Sequence, residues 1–261
     1  LALQQKLILE EAETLKHKEL SELKSLFVSS VSHDFKTPLT SIRMFAEMLR
    51  SPYQIQEEKR VEYLQIIEGE AVRLSRMINN VLDFSKIEKG VKDYSFREVH
   101  FNKIVKSVIE LMQYTLKMKG FYVTTKLDNF NDLICGDADA ITEAVENIIS
   151  NAIRFSSEKK EIIVSTFFNE GFACVSVKDF GIGINQSDIS KIFDPFFRSE
   201  DAKSKKIEGT GLGLQIVKHI VEEHKGKILI DSLPEQGSVF TLCFPILSNN
   251  KGDSSEEDID Y

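Results

Sequence analysis

Apolar residues in the first third of the chain recur every three or four positions. Leu20, Leu23, Phe27, Val31, Phe35, Pro38, Ile42, Phe45 and Leu49 form one near-heptad stripe, and Val61, Leu64, Ile67, Ala71, Leu74, Ile78 and Val81 form a second. That period belongs to amphipathic helices. Between the stripes, Ser51-Pro52-Tyr53-Gln54 has turn chemistry, so residues 20–90 read as a helical hairpin. Two helices with narrow stripes cannot bury both by themselves. Pairing two hairpins into a four-helix bundle does bury them, and this predicts a homodimer; docking onto the rest of the chain is the alternative. Residues 1–19 carry a weaker pattern crowded with Glu10, Glu11, Glu13, Lys16, Lys18 and Glu19. They read as a coiled-coil lead-in helix.

From about residue 95 the period changes. Helical stretches near 101–119, 137–156 and 211–225 alternate with β-type runs at Phe121–Thr125, Glu161–Phe167, Phe172–Val177, Lys227–Ile230 and Ser238–Leu242. Asn169-Glu170-Gly171 between two of these runs predicts a hairpin. Helices grouped beside antiparallel strands predict an α+β sandwich over 91–248, with the helices on one face of a sheet. Residues 184–208 hold Asn, Ser, Asp, Pro and a lysine cluster and read as a long loop of the functional kind. Residues 249–261 read as a disordered acidic tail.

Composition narrows the classes. The 261 residues include 33 Lys and Arg against 41 Asp and Glu, a formal charge of -8. The tail's five acids and one lysine carry about half of it. An acidic chain without a basic cluster is a poor nucleic-acid binder. No stretch of 18 apolar residues occurs, so any membrane anchorage is expected only through a region N-terminal to Leu1. The opening Leu1-Ala2-Leu3, inside a helical pattern, reads as the C-terminal part of a longer protein. Cys135, Cys174 and Cys243 are far apart and form no C-x-x-C pair; they read as small buried hydrophobes in a reducing cytoplasm.

Four clusters carry chemistry. In Ser32-His33-Asp34-Phe35-Lys36-Thr37-Pro38, His33 lies about 200° round the helix from Val31 and Phe35 and so faces water. An imidazole beside a carboxylate can hold one nitrogen protonated and leave the other free to attack. Asn147 and Asn151 stand four apart on one helix face, opposite Ile148, Ile149 and Ala152. Paired amides offer carbonyl oxygens to a hard cation such as Mg²⁺, although two surface asparagines are the plainer alternative. Asp179-Phe180-Gly181-Ile182-Gly183 follows a strand; its glycines allow a tight turn, and Asp179 can accept from an amino group such as that of adenine. Gly209-Thr210-Gly211-Leu212-Gly213 runs into a helix, where bare amides bind phosphate. His17, His100, His219 and His224 show no metal-ligand spacing, and the last two flank a helix end where cations are favoured.

Taken in order, the histidine, Asn-x-x-x-Asn, D-x-G-x-G, the Phe193/Phe196/Phe197 segment and G-x-G-x-G resemble the sensor histidine kinases of two-component systems over about residues 20–247. The resemblance implies a dimerisation and phosphoacceptor hairpin followed by a catalytic ATP-binding domain. It implies His33 as phosphoacceptor, Asp34 as general base, and Thr37 at the position linked to dephosphorylating the response regulator. It implies Asn147 and Asn151 as Mg²⁺–phosphate contacts, and Arg154 as a phosphate contact where the family usually has lysine. Asp179 would read adenine, with Gly181 and Gly183 forming its turn. Gly209, Thr210, Gly211, Leu212 and Gly213 would form the phosphate-side loop. Phe193, Phe196 and Phe197 match the aromatic segment under the ATP lid, and Arg198 an arginine that approaches the transferring phosphate. The implied activity is ATP-dependent autophosphorylation of His33 and relay to a response-regulator aspartate. Related gyrase-type and chaperone ATPases place a water-activating glutamate four residues before the helix asparagine; here that position is Asn147, and an amide is no general base. An ATPase, or a nucleotide-sensing dimeric scaffold, is the alternative.

Overall fold

The computed structural model describes residues 31–32, 34–50, 55–156, 158–204, 207 and 209–247. The 1–19 lead-in, His17, His33, the turn at 51–54 and the acidic tail lie outside the described residues. The chain falls into two compact units. Of the described residues, one takes those up to Lys92 together with Ser187–Ile216; the other takes Asp93–Gln186 and those from Val217 onward.

In the first unit, α1 runs through 34–50 and α2 over Glu57–Glu88. The first stripe turns inward as its spacing predicts. Val31 and Pro38 are buried, and Phe35, Ile42, Phe45 and Leu49 are half-buried. Phe45 and Tyr63 join the two helices, with ring centroids 5.1 Å apart. The second stripe divides. Ile67, Leu74 and Val81, seven residues apart, are half-buried, whereas Leu64, Ala71 and Ile78 are exposed. A two-helix hairpin can cover only one seam of each helix, so the other heptad position is left uncovered.

The second unit begins with β1 (Arg97–His100), α3 (Phe101–Met118), β2 (Tyr122–Leu127), β3 (Leu133–Gly136) and α4 (Ala138–Phe155). It continues with β4 (Glu161–Asn169) and β5 (Phe172–Asp179). After the short helices α5 (Gln186–Ile189) and α6 (Glu200–Ser204), and α7 (Gly213–Glu223), come β6 (Lys227–Leu233) and β7 (Gly237–Pro245). The main sheet has the order β2-β4-β5-β7-β6. The β2–β4 pair is parallel, which departs from the antiparallel expectation, and the other pairs are antiparallel. The predicted β4–β5 hairpin is present, with Glu170 at φ 46° and Gly171 at φ 87°. Two successive left-handed residues give the turn whose twist suits flanking strands. β1 and β3 pair antiparallel as a separate small sheet. Four residues each are too few for an alternation signal, and the sequence reading missed both.

Helix α3 packs on α4 and β2, and α4 on β4 and β5. Ile141, Val145, Ile148 and Ile149 of α4 bury fully beside Ile162, Val164 and Val175 of the sheet. Each helix start is held by an aspartate. Asp137 caps α4, accepting from the Asp139 and Ala140 amides at 3.0 and 3.1 Å. Helix α3 has no acid in its first turn. Asp132, just ahead of β3, supplies one instead: it accepts from the Asn102 amide at 2.8 Å and meets His100 Nδ1 at 3.0 Å.

Three readings change here. Cys174 and Cys243 face each other across β5 and β7 and form a disulfide, and Cys135 is exposed on β3 rather than buried. Pairing register, which sequence separation does not reveal, brings the two sulfurs together. The 184–208 segment contains the helices α5 and α6. His224 does follow the end of α7, but not as a cation in water: it is buried between Tyr94, Phe96 and Phe244. No helix among the described residues is long and apolar enough to cross a membrane.

Candidate functional site

Helix α4 presents its apolar side to the sheet, which leaves Asn147 and Asn151 half-buried on the other side and Arg154 exposed one turn on. The Asn147 amide nitrogen donates to the Glu143 carbonyl at 3.0 Å. Its amide oxygen is the ligand atom that remains. Two uncharged amide oxygens one turn apart suit a hard cation already carrying phosphate oxygens. Among the described residues, no group of three or more His, Cys, Asp or Glu could hold a metal ion alone.

Strand β5 ends at Asp179, which is 5% exposed. Its Oδ1 accepts from the Gly181 amide at 2.8 Å and the Ser238 amide at 3.3 Å. Burial pushes the Asp179 carboxyl above its ordinary value, and these two donors oppose that push. The turn that follows is pressed against the end of α4. Ile182 N–H donates to the Phe155 carbonyl at 3.1 Å, and a Cβ at Gly181 would collide with that same carbonyl. Gly183, at φ 67°, lies against the Leu233 carbonyl. The structure therefore brings Asn147, Asn151, Asp179, Gly181 and Gly183 into one unit, through a direct link between α4 and the turn. In the same turn, Lys159 Nζ lies 3.4 Å above the Phe180 ring centroid.

The other named residues lie in the 187–216 segment, within the first unit. Phe193, Phe196, Phe197 and Arg198 are half-buried. Phe196 holds a left-handed backbone at φ 66°, donates its amide to the Gly211 carbonyl at 3.2 Å, and sets its ring edge-on to Phe84 of α2 at 5.1 Å. Gly211, at φ 72°, leaves no room for a Cβ beside the Phe196 backbone. This close approach is a physical reason for glycine in the middle of G-x-G-x-G. Leu212 is fully buried and opens α7, its carbonyl accepting from the Ile216 amide at 3.0 Å, while Thr210 Oγ1 accepts from the Leu212 amide at 3.4 Å. Gly209 and Gly213 flank this pair. Arg198 donates to the Ile207 carbonyl. On α1, Asp34 is half-buried and Thr37 exposed one turn later.

The sequence reading overlooked three residues that shape the Asp179 turn. A Cβ on Gly237 would be driven into the Asp179 carbonyl, so only glycine fits there. Ser232 and Ser238 are buried beneath the turn, with hydroxyl oxygens 2.9 Å apart. The available signal was two serines bracketing Pro234-Glu235-Gln236-Gly237, in strands otherwise built of bulky residues.

Two family models match the chain. Residues 23–90 match the His Kinase A (phospho-acceptor) domain. Residues 136–248 match the histidine kinase-, DNA gyrase B- and HSP90-like ATPase domain. Sensor histidine kinase WalK of Bacillus subtilis (strain 168) is 34% identical over 235 residues, covering 88% of this chain and 38% of WalK. Sensor protein RprX of Bacteroides fragilis (strain YCH46) is 29% identical over 238 residues, covering 90% of this chain and 46% of RprX. The chain thus spans less than half the length of these curated relatives. Among solved structures, histidine kinase ThkA in complex with response regulator protein TrrA superposes with a TM-score of 0.60 at 25% identity, over 91% of this chain and 66% of ThkA. With a phospho-acceptor hairpin and an ATPase-type sandwich in the same order as in these proteins, the chain belongs to the sensor histidine kinases of two-component systems.

Proposed function

We propose that this chain is an ATP-dependent protein-histidine kinase that phosphorylates its own His33 and passes the phosphoryl group to an aspartate of a response regulator. A ring nitrogen of His33 attacks the γ-phosphorus of ATP in line; the phosphorus–nitrogen bond forms as the bond to the ADP oxygen breaks. Asp34 takes up the imidazole proton. Asp179 accepts from the adenine amino group. Asn147, Asn151 and Arg154 meet the phosphates, with Gly209, Thr210, Gly211, Leu212 and Gly213 supplying backbone donors and Phe193 a wall of the nucleotide-lid segment. Asn147 and Asn151 would hold Mg²⁺ through their amide oxygens, and the ion would supply positive charge to the phosphate oxygens. Arg198, once released from the Ile207 carbonyl, adds positive charge at the transferring phosphate. Thr37 supports dephosphorylation of the regulator, which makes the enzyme bifunctional.

The observation that carries this reading is Asn147. It stands four residues before Asn151, where a water-activating ATPase needs a carboxylate, and its amide is tied to Glu143. An amide cannot take a proton from water at neutral pH, so water is a poor acceptor and the histidine is favoured. The uncovered heptad positions of α1 and α2 support a homodimer, and the ThkA–TrrA complex supports a receiver-domain partner.

Incubation with [γ-³²P]ATP and Mg²⁺ tests the proposal. The expected label is stable to base, labile to acid and absent from His33→Gln. Steady phosphate release without label would instead establish the ATPase, and neither signal would establish the scaffold.

A further inference from the structure

We propose that Ser232 is a positioning residue that makes the Asp179 turn selective for a purine bearing an amino group at C6. The inference rests on the reading of Asp179 as the adenine acceptor.

Ser232 Oγ has three polar neighbours. Ile184 N–H donates to it at 2.9 Å, the Gly237 carbonyl lies at 3.0 Å, and Ser238 Oγ lies at 2.9 Å. An amide N–H can only donate, and a carbonyl can only accept. The single Ser232 proton therefore goes to the Gly237 carbonyl. The hydroxyl–hydroxyl contact must then use the Ser238 proton, donated to Ser232 Oγ. With that, Ser232 is saturated: it gives one hydrogen bond and receives two. Ser232 and Ser238 are 3% and 6% exposed, so bulk water does not compete for these bonds.

Two consequences follow for the turn. Ser238 Oγ is left with lone pairs alone, in the residue whose amide donates to Asp179 Oδ1 at 3.3 Å. Both the Asp179 carboxylate and the Ser238 hydroxyl oxygen can then only accept. An amino group at C6 is a donor and satisfies them; a keto oxygen at C6 is an acceptor and is repelled. Ser232 also fixes the backbone just past Gly183, through the Ile184 amide and through its own carbonyl, which accepts from Gln186 Nε2 at 3.0 Å. Its hairpin adds a further tie, as Glu235 N–H donates to the Ile182 carbonyl at 2.7 Å. Ser232 acts on the purine only through Ser238 and the turn.

The test is displacement of a fluorescent ATP analogue from the full chain by ATP and by inosine triphosphate, which differs in carrying a keto group at C6. Ser232→Ala frees the Ser238 proton to turn outward and donate. The ratio of inosine triphosphate to ATP dissociation constants is expected to fall about fivefold, the value of one net hydrogen bond. Ser232→Thr, which keeps the hydroxyl, should restore the ratio. A merely structural serine would lower the melting temperature and weaken both nucleotides together, leaving the ratio unchanged, and that result overturns the proposal. Should Ser232→Ala not fold, Ser238→Ala removes the accepting oxygen itself; a ratio unchanged in that variant overturns the proposal equally. Asp179→Asn is measured alongside. If it keeps the wild-type ratio, the reading of Asp179 fails; if it loses the ratio and Ser232→Ala keeps it, only the role of Ser232 fails.

Discussion

His224 shows how far one side chain can depart from its sequence context. It follows Glu222 and Glu223 at the end of α7, where a protonated histidine would be favoured by the helix dipole. The fold makes it neutral instead. Its Nδ1–H donates to the Ile220 carbonyl at 2.7 Å, and its Nε2 accepts from the Asp137 amide at 2.9 Å. Burial is the main cause that lowers its pKa below the ordinary histidine value; the Ile220 carbonyl and the charges of Asp137 and Glu223 work against it. Because the folded value lies below the unfolded one, the unfolded chain takes up a proton first as pH falls. The stabilising contribution is complete above about pH 6.5 and is lost progressively below it. Asp137, whose own carboxyl is held below the ordinary range by the Ser95, Ala140 and Asp139 amides against its desolvation, loses its contribution only at lower pH, past the ordinary aspartate value. Thermal melts from pH 7.5 to 5 should show a falling midpoint for the native chain and a flatter profile for His224→Gln. Parallel profiles would remove His224 from the account.

At the scale of elements, helix α4 depends on what lies at its two ends. Asp137 accepts from three amides, those of Ser95, Asp139 and Ala140, and so joins the incoming chain to the helix start. Asp137→Ala should cost about 2 kcal/mol, at the upper end for a helix cap, which in a chain of this size lowers the melting temperature by roughly 4–8 °C. Urea unfolding measures it, and a loss under 0.5 kcal/mol would show that Ser95 and the cap find other partners. The far end of α4 reaches the Asp179 turn through Phe155 and Ile182. The amphipathic period of α4 was legible because eight of its residues bury one continuous side, and Asn147 and Asn151 were assignable to the opposite side for the same reason. The Phe196–Gly211 contact was not legible. It depends on a left-handed non-glycine residue, and local propensity does not favour one.

For the whole molecule, the hairpin is unfinished. Leu39, Met44 and Met48 on α1 and Val61, Leu64, Val72, Ile78 and Leu82 on α2 remain exposed, each between 40% and 58%. Scattered apolar residues are ordinary, but eight on two adjacent helices at helical spacing are enough to line a second interface. Leu64→Asp should leave the isolated fold intact, because the side chain already lies in solvent, and should shift sedimentation from dimer to monomer at micromolar concentration. A native chain that is monomeric throughout a concentration series would refute the dimer.

The sequence alone determined the order of the domains, the helical period of the hairpin, the inward side of α4 and the glycine-bearing turns. These follow from local periodicity and from the backbone freedom that only glycine allows. Tertiary structure decided everything that required two distant segments to meet: the disulfide between Cys174 and Cys243, the neutral state of His224, the hold of Asp132 on the start of α3 and of Asp137 on Ser95, and the placing of Ser238 against Asp179. Hydrogen bonds, desolvation and sulfur pairing are set by distances of a few ångströms between residues tens of positions apart, and only the folded chain fixes those distances.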